Sequence, residues 1–331
     1  MQKRISYSES ILEAFKFLLE NYPEVFIIGQ GLWSPWYVGN SMKDLDRIYG
    51  KERIIDTPVS ENAVTGAAIG ASLCGMKPIV IHPRMDFLLY AMDPIINQSA
   101  KWSYMFGGQA NPQVTIRSII NRGGEQGAQH SQMLHSIFAH IPGLRVVMPY
   151  SVEDARDLLI SSVLCKDPVI YIDDRWLYEE KDKITDIKIL DLKNEKSRKI
   201  INGKDLTLIA SGYATKVAKN AIEEFILENK NYSVELLDLR IISPINYDSI
   251  FESISKTRRF IVIDGGWKTC GIGSEIISSV LENFHPNHFL SKPVNISLSG
   301  SPAPCSKVLE KKYYFSEKRI LKAIKDIFLI E

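Results

Sequence analysis

Apolar positions recur along this chain with two alternating periods. Ser6 followed three residues later by Glu9 has the form of a helix capping box, and Ile11, Leu12, Phe15, Leu18 and Leu19 continue at helical spacing. Residues 25–29 form a short apolar run closed by a glycine, the pattern of a buried parallel strand. Similar runs at 78–81, 113–119, 144–148 and 168–172 are separated by helical stretches that include 60–74, 91–104 and 152–164. Further on, strands are predicted at 206–210, 234–237, 260–264 and 294–297, and helices around 215–228, 247–254, 272–281 and 316–327. Strands alternating with helices predict an α/β fold with mostly parallel sheets.

Between 179 and 204 this alternation gives way to dense charge with little helical period. The domain boundary is placed there: a first domain over 1–180, a charged linker over 181–204, and a smaller α/β domain over 205–331. No repeat of 20 to 50 residues and no low-complexity tract interrupts this plan.

Composition narrows the function classes. The chain has 331 residues, 40 Lys plus Arg against 39 Asp plus Glu, and a formal net charge of +1. Without a basic cluster there is no electrostatic footprint for nucleic acid. No stretch of about 18 apolar residues is present to span a membrane, and residues 1–12 carry no apolar signal region. Cys74, Cys165, Cys270 and Cys305 are far apart and form no CxxC pair, so they read as reduced thiols of a cytoplasmic protein.

Two stretches carry candidate chemistry. Glu61 opens a helix whose Gly66 and Gly70 lie one turn apart on one face, where another helix could approach closely. A capped packing helix and a carboxylate poised at an apolar mouth are equal readings of that stretch taken alone. The second is the glycine-rich loop 121–132, which follows a strand and delivers His130 between Gln129 and Ser131. Loops after parallel strands are where α/β proteins place reactive groups. Trp102, Tyr104 and Phe106 read as core or interface residues.

Glu61, four residues, then Gly66-Ala-Ala-Ile-Gly70 resembles the Glu-x4-Gly-Φ-x-x-Gly pattern of thiamine-diphosphate enzymes. Ala128-Gln-His-Ser-Gln132, His140-Ile-Pro-Gly-Leu-Arg-Val-Val147, Pro149 with Glu153-Asp-Ala155, and Gly265-Gly-Trp267 with Gly271-Ile-Gly-Ser-Glu-Ile276 resemble the β subunit of 2-oxoacid dehydrogenases of the pyruvate or branched-chain type. These pieces occur in the family's order over nearly the whole chain.

The resemblance implies two three-layer α/β/α domains, a pyrimidine-binding domain followed by a transketolase C-terminal domain. It implies that Glu61 hydrogen-bonds the aminopyrimidine of thiamine diphosphate, whose thiazolium ring acts as electron sink. That role needs a dry setting in which Glu61 can hold or share a proton. Phe87 matches the aromatic residue that packs on the aminopyrimidine, Val59 the apolar residue beside it, and His130 the active-site histidine near the substrate. Thiamine-diphosphate enzymes hold the diphosphate and Mg2+ with a Gly-Asp-Gly sequence, and this chain has none. A separate α subunit would supply that half, in an α2β2 heterotetramer, with a lipoyl acyltransferase or carrier protein as a further partner. A monovalent cation, K+, would map to Val114, Ser162, Val163, Cys165 and Asp167, although Cys165 stands where an acidic residue is usual.

Other departures concern the substrate. His82-Pro-Arg-Met-Asp86 stands where the family usually offers small, polar or aromatic residues, and His135 stands at a commonly acidic position. His82, Arg84 and His135 would add positive charge near the substrate channel and suit a phosphorylated or carboxylated substrate. Pairing of Arg84 with Asp86 or a partner chain is an equal reading. Three functions follow as expectations. The first is a 2-oxoacid dehydrogenase β subunit that decarboxylates a 2-oxoacid and passes the acyl unit to a lipoyl carrier. The second is a two-subunit transketolase-like or acyloin-forming enzyme moving a two-carbon unit in a biosynthetic pathway. The third is a non-catalytic assembly subunit.

Overall fold

The computed structural model of the chain describes residues 4–330. Residues 1–3 and 331, which the expected domain ranges include, lie outside the described residues. By internal contacts the chain divides into two units, one of residues 1–122 with 129–195 and one of residues 123–128 with 196–331.

In the first unit six parallel strands lie in the order Arg145–Val147, Val169–Asp174, Thr115–Ile120, Lys77–His82, Val25–Gln30, Ile54–Thr57. Every residue of Thr115–Ile120 and Val169–Asp174 is buried. Covering both faces of a strand removes the polar alternation of a half-exposed one, which is why these segments read as near-continuous apolar runs. Tyr7–Asn21 begins at Ser6 with the expected capping box: Ser6 Oγ accepts from Glu9 N–H at 3.2 Å, and Glu9 Oε2 accepts from Ser6 N–H at 2.7 Å. Its Ile11, Ala14, Phe15 and Leu18 are buried, and the helix packs against helix Val152–Leu164.

The expected helix 91–104 is broken into the 3-10 turn Met85–Ala91, the π-helical Pro94–Ser99 and a short α-helix Ala100–Met105. Pro94 lacks a backbone donor and its ring crowds the preceding turn, which accounts for the break. Of the aromatic residues there, Tyr104 is 91% exposed and Phe106 is also exposed, so they are not core within this chain.

The linker over 181–204 is a correction. Lys181–Lys183 pairs antiparallel with Arg4–Ser6, Arg156 donates to the carbonyls of Thr185 and Asp186, Leu190 N–H reaches Ser161 Oγ, and Leu192 is buried. Backbone donors and acceptors in a charged segment still need partners, and here the first unit supplies them. Past residue 195 the chain enters the second unit at once, as edge strand Arg198–Ile201.

The second unit is a five-stranded sheet in the order Val294–Leu298, Phe260–Trp267, Leu206–Ala210, Val234–Asp238, Arg198–Ile201, parallel except for the last strand. Helices Tyr213–Glu228 and Glu317–Phe328 pack on each other through Ala221, Phe225, Ile320 and Ile324. The Gly271 and Gly273 pair is tight packing. A Cβ at Gly271 would lie 2.2 Å from Trp267 O, and Gly273 N–H donates to Asp264 Oδ2 at 3.0 Å. Among the described residues no helix is long and apolar enough to cross a membrane, and all four cysteines are free.

Candidate active site

In an open parallel sheet the carboxyl ends of the strands leave a crevice where loops converge. The first unit has such a cleft, of about 460 Å³. Its lining residues follow those ends closely. Val59 and Glu61 come after strand Ile54–Thr57, Arg84 and Phe87 after Lys77–His82, Arg175 directly after Val169–Asp174, and His130 from the loop after Thr115–Ile120.

Glu61 is the first residue of helix Glu61–Leu73 and is only 9% exposed, whereas Val59, two residues earlier, is 74% exposed on the cleft wall. The helix is held by Thr65, Ala68, Ile69 and Ser72, which are buried, and it packs on strand Lys77–His82. Gly66 and Gly70 lie on its other face, exposed, with open space where a Cβ would stand. One turn after Glu61, Thr65 Oγ1 lies 3.1 Å from His82 Nε2. This bond ties the helix carrying Glu61 to the strand that leads into Arg84 and Phe87, which also line the cleft.

His82 therefore corrects an expectation. It is buried, and burial pushes its pKa down to about 4, because a dry environment penalises the imidazolium. It is a neutral positioning group and adds no charge to the cleft. His135 is corrected as well: at 1% exposure it sits under the start of helix His135–Ala139 beside Ser136 and lines no part of the cleft. Arg84 does line it.

Phe87 and His130 meet edge to face, with ring centroids 5.3 Å apart and planes at 89°. Their backbones are stitched together on either side. Asp86 Oδ1 accepts from Gln132 N–H at 3.1 Å and from Gln132 Nε2 at 2.9 Å, and Asn121 Nδ2 donates to Pro83 O at 2.8 Å. Burial pushes the Asp86 carboxyl up, against the pull of the Gln132 hydrogen bonds.

With this geometry in place, the comparisons are specific. Residues 3–180 match the transketolase pyrimidine-binding domain, and residues 195–320 match the transketolase C-terminal domain. The chain is 32% identical to the pyruvate dehydrogenase E1 component subunit beta of Rickettsia bellii, covering 99% of this chain and 100% of that one. The chain belongs to the thiamine-diphosphate-dependent 2-oxoacid dehydrogenase β-subunit family. It is also 33% identical to the acetoin:2,6-dichlorophenolindophenol oxidoreductase subunit beta of Bacillus subtilis, over 97% of this chain and 96% of that one. A solved structure described as a split-gene transketolase, an inactive β4 tetramer, superposes with a TM-score of 0.75 at 19% identity, covering 98% and 99% of the two chains. That likeness shows the shared two-domain α/β fold.

The cleft suits the pyrimidine half of the family's cofactor: its lining includes a buried carboxylate and apolar Val59 and Phe87, and it has room for an aromatic ring. Among the described residues no three His, Cys, Asp or Glu side chains group to hold a metal ion.

The residues mapped to the β-subunit family's monovalent cation do gather at the end of helix Val152–Leu164, but the donor set does not fit a bare cation. Gln113 Nε2 points at Val163 O and Leu164 O, at 3.5 and 3.3 Å. Val114 O accepts from Val169 N–H and Ser162 O from Cys165 N–H, while Arg145 Nε holds Asp167 Oδ2 at 2.7 Å. Burial pushes the Cys165 thiol up, leaving it neutral.

Sequence reasoning missed Arg175, Gln132 as a clamp on Asp86, and the buried Arg117–Asp173 pair. Arg117 is fully buried and bidentate, Nε to Oδ1 at 2.9 Å and Nη2 to Oδ2 at 2.8 Å, with Nη2 also donating to Ser41 Oγ and Tyr178 Oη. The only sequence signal for Gln132 was its place in the His-Ser-Gln triplet, two residues past His130.

Proposed function

We propose that this chain supplies the pyrimidine-binding half of a thiamine-diphosphate site and that an α subunit supplies the diphosphate and Mg2+ half, in a 2-oxoacid dehydrogenase-type heterotetramer. The observation that carries the reading is the buried Glu61 carboxylate lining one cleft together with the edge-to-face Phe87–His130 pair. Glu61 would hold or share a proton at a ring nitrogen of the cofactor's pyrimidine. Phe87 and Val59 would pack on that ring, and their apolar surfaces keep water from the carboxylate. His130, its ring edge set against Phe87, would face the substrate and hold or move a proton there. Thiamine diphosphate, when bound, supplies the electron sink for cleavage of the bond next to the substrate carbonyl.

Relatives named as pyruvate dehydrogenase and acetoin oxidoreductase β subunits support an oxidative reaction, and a lipoyl carrier would be the acceptor of the acyl unit. The test is co-expression with the α subunit, titration of thiamine diphosphate and Mg2+ by calorimetry with this chain alone as control, and turnover of 2-oxoacids. Binding by the pair and not by the lone chain is expected. Absence of binding by the pair overturns the reading. For the monovalent cation, the Gln113 amide supports a site that works without one.

A further inference from the structure

We propose that Arg84 and Arg175 form an anion-binding subsite in the cleft, so that the enzyme acts on a substrate carrying a second anionic group, a carboxylate or a phosphate, beyond its reacting carbonyl. This deepens the cofactor-site reading above and rests on it.

Both arginines line the same cleft as Glu61, Phe87 and His130. They arrive from different strands, Arg84 two residues after Lys77–His82 and Arg175 directly after Val169–Asp174, so the sheet itself brings the two guanidinium groups to one wall. Arg175 Nη2 donates to Tyr37 O, which fixes the side chain, while its buried Nε has no hydrogen-bond partner. A buried donor without an acceptor is costly, and a bidentate anion satisfies it along with the rest of the guanidinium fork. Burial and the nearby Arg175 charge both push Arg84 down from its ordinary value, as expected for two cations held together in a partly dry site. Asp86 offsets part of that charge, but its Oδ1 is committed to Gln132. His82 and His135, which would have spread positive charge more widely, are buried out of the cleft. The charge is thus focused on one pair.

The experiment uses the reconstituted α/β pair. Thiamine-diphosphate affinity is measured first, then kcat/KM for 2-oxobutyrate against 2-oxoglutarate and for a ketose against its terminal phosphate ester, with inorganic phosphate and malonate as competitive probes. The wild type should prefer one anionic donor over its neutral match, and which arm shows the preference separates phosphate from carboxylate. In Arg84→Met and Arg175→Met that ratio should fall by on the order of tenfold to a hundredfold, the worth of hydrogen bonds to a charged group. Inhibition by the matching probe should weaken in parallel, and thiamine-diphosphate affinity should be retained. If either variant fails to assemble, Arg84→Lys or Arg175→Lys keeps the charge and loses the fork, and the same fall in ratio is expected. Cofactor binding with no preference in the wild type, or an unchanged ratio in the variants, overturns the subsite alone. Loss of cofactor affinity in the arginine variants assigns them to the cofactor and overturns it too. No cofactor binding by the wild-type pair overturns the site reading itself, and this inference with it.

Discussion

Gln132 donates both its backbone N–H, at 3.1 Å, and its side-chain amide, at 2.9 Å, to Oδ1 of Asp86. Asp86 precedes Phe87 and Gln132 lies two residues beyond His130, so one carboxylate oxygen fixes the spacing of the two rings that meet edge to face. Replacing Gln132 by Ala keeps the backbone bond and removes the side-chain one, and should cost about 1–2 kcal/mol of stability. Because geometry at the site changes too, kcat of the reconstituted enzyme should fall by about tenfold with cofactor affinity nearly kept. Unaltered kcat with the expected stability loss would show that the clamp is structural only.

Glu61→Ala should reduce turnover by at least about a hundredfold, the lower range for losing a positioned proton-transfer group. Size-exclusion chromatography should show the same α/β assembly as the wild type. Retained turnover would point to the assembly-subunit reading.

Arg117→Met leaves Asp173 charged and buried without its partner. Removing one member of a buried ion pair costs about 3–5 kcal/mol, and both side chains here are completely buried. Urea denaturation of the chain should show that loss, while a change below about 1 kcal/mol would mean that the pair is readily replaced by packing.

His82 makes stability depend on pH. Its pKa is pushed down to about 4 in the folded chain by burial, against an ordinary value of 6.5. Between those values the unfolded chain binds a proton that the folded chain does not, so this contribution is complete above pH 6.5 and is lost as pH falls toward 4. Comparing wild type with His82→Gln by urea denaturation, the wild type should lose about 2 kcal/mol more than the variant between pH 7 and 5. Parallel pH profiles would contradict a neutral buried His82.

The Gln113 amide reaches the carbonyl of Val163, one of those a monovalent cation would use, and that of Leu164 beside it. Exchanging potassium for choline at constant ionic strength should leave the melting temperature of the wild type unchanged. Gln113→Ala should lose about 1 kcal/mol, and potassium should then stabilise it. Potassium-dependent melting of the wild type would refute this.

Much of the architecture was legible in the residues themselves. Parallel strands buried on both faces leave continuous apolar runs, and the Ser6–Glu9 box is a local hydrogen-bond pattern, so both survive in a one-dimensional reading. Glu61, Phe87 and His130 stand out in the sequence because family motifs carry them, and all three line one cleft. Other features depended on long-range contacts. Arg117 and Asp173 look like ordinary strand charges until the sheet places them side by side, 56 residues apart in sequence. His82, Arg84 and His135 are all basic residues near motifs, yet only Arg84 reaches the cleft, because helix packing buries the other two. Arg175 joins it only because two strands end at the same crevice. Local chemistry and period are properties of neighbouring residues. Exposure, charge pairing and which loops meet are set by the packed sheet.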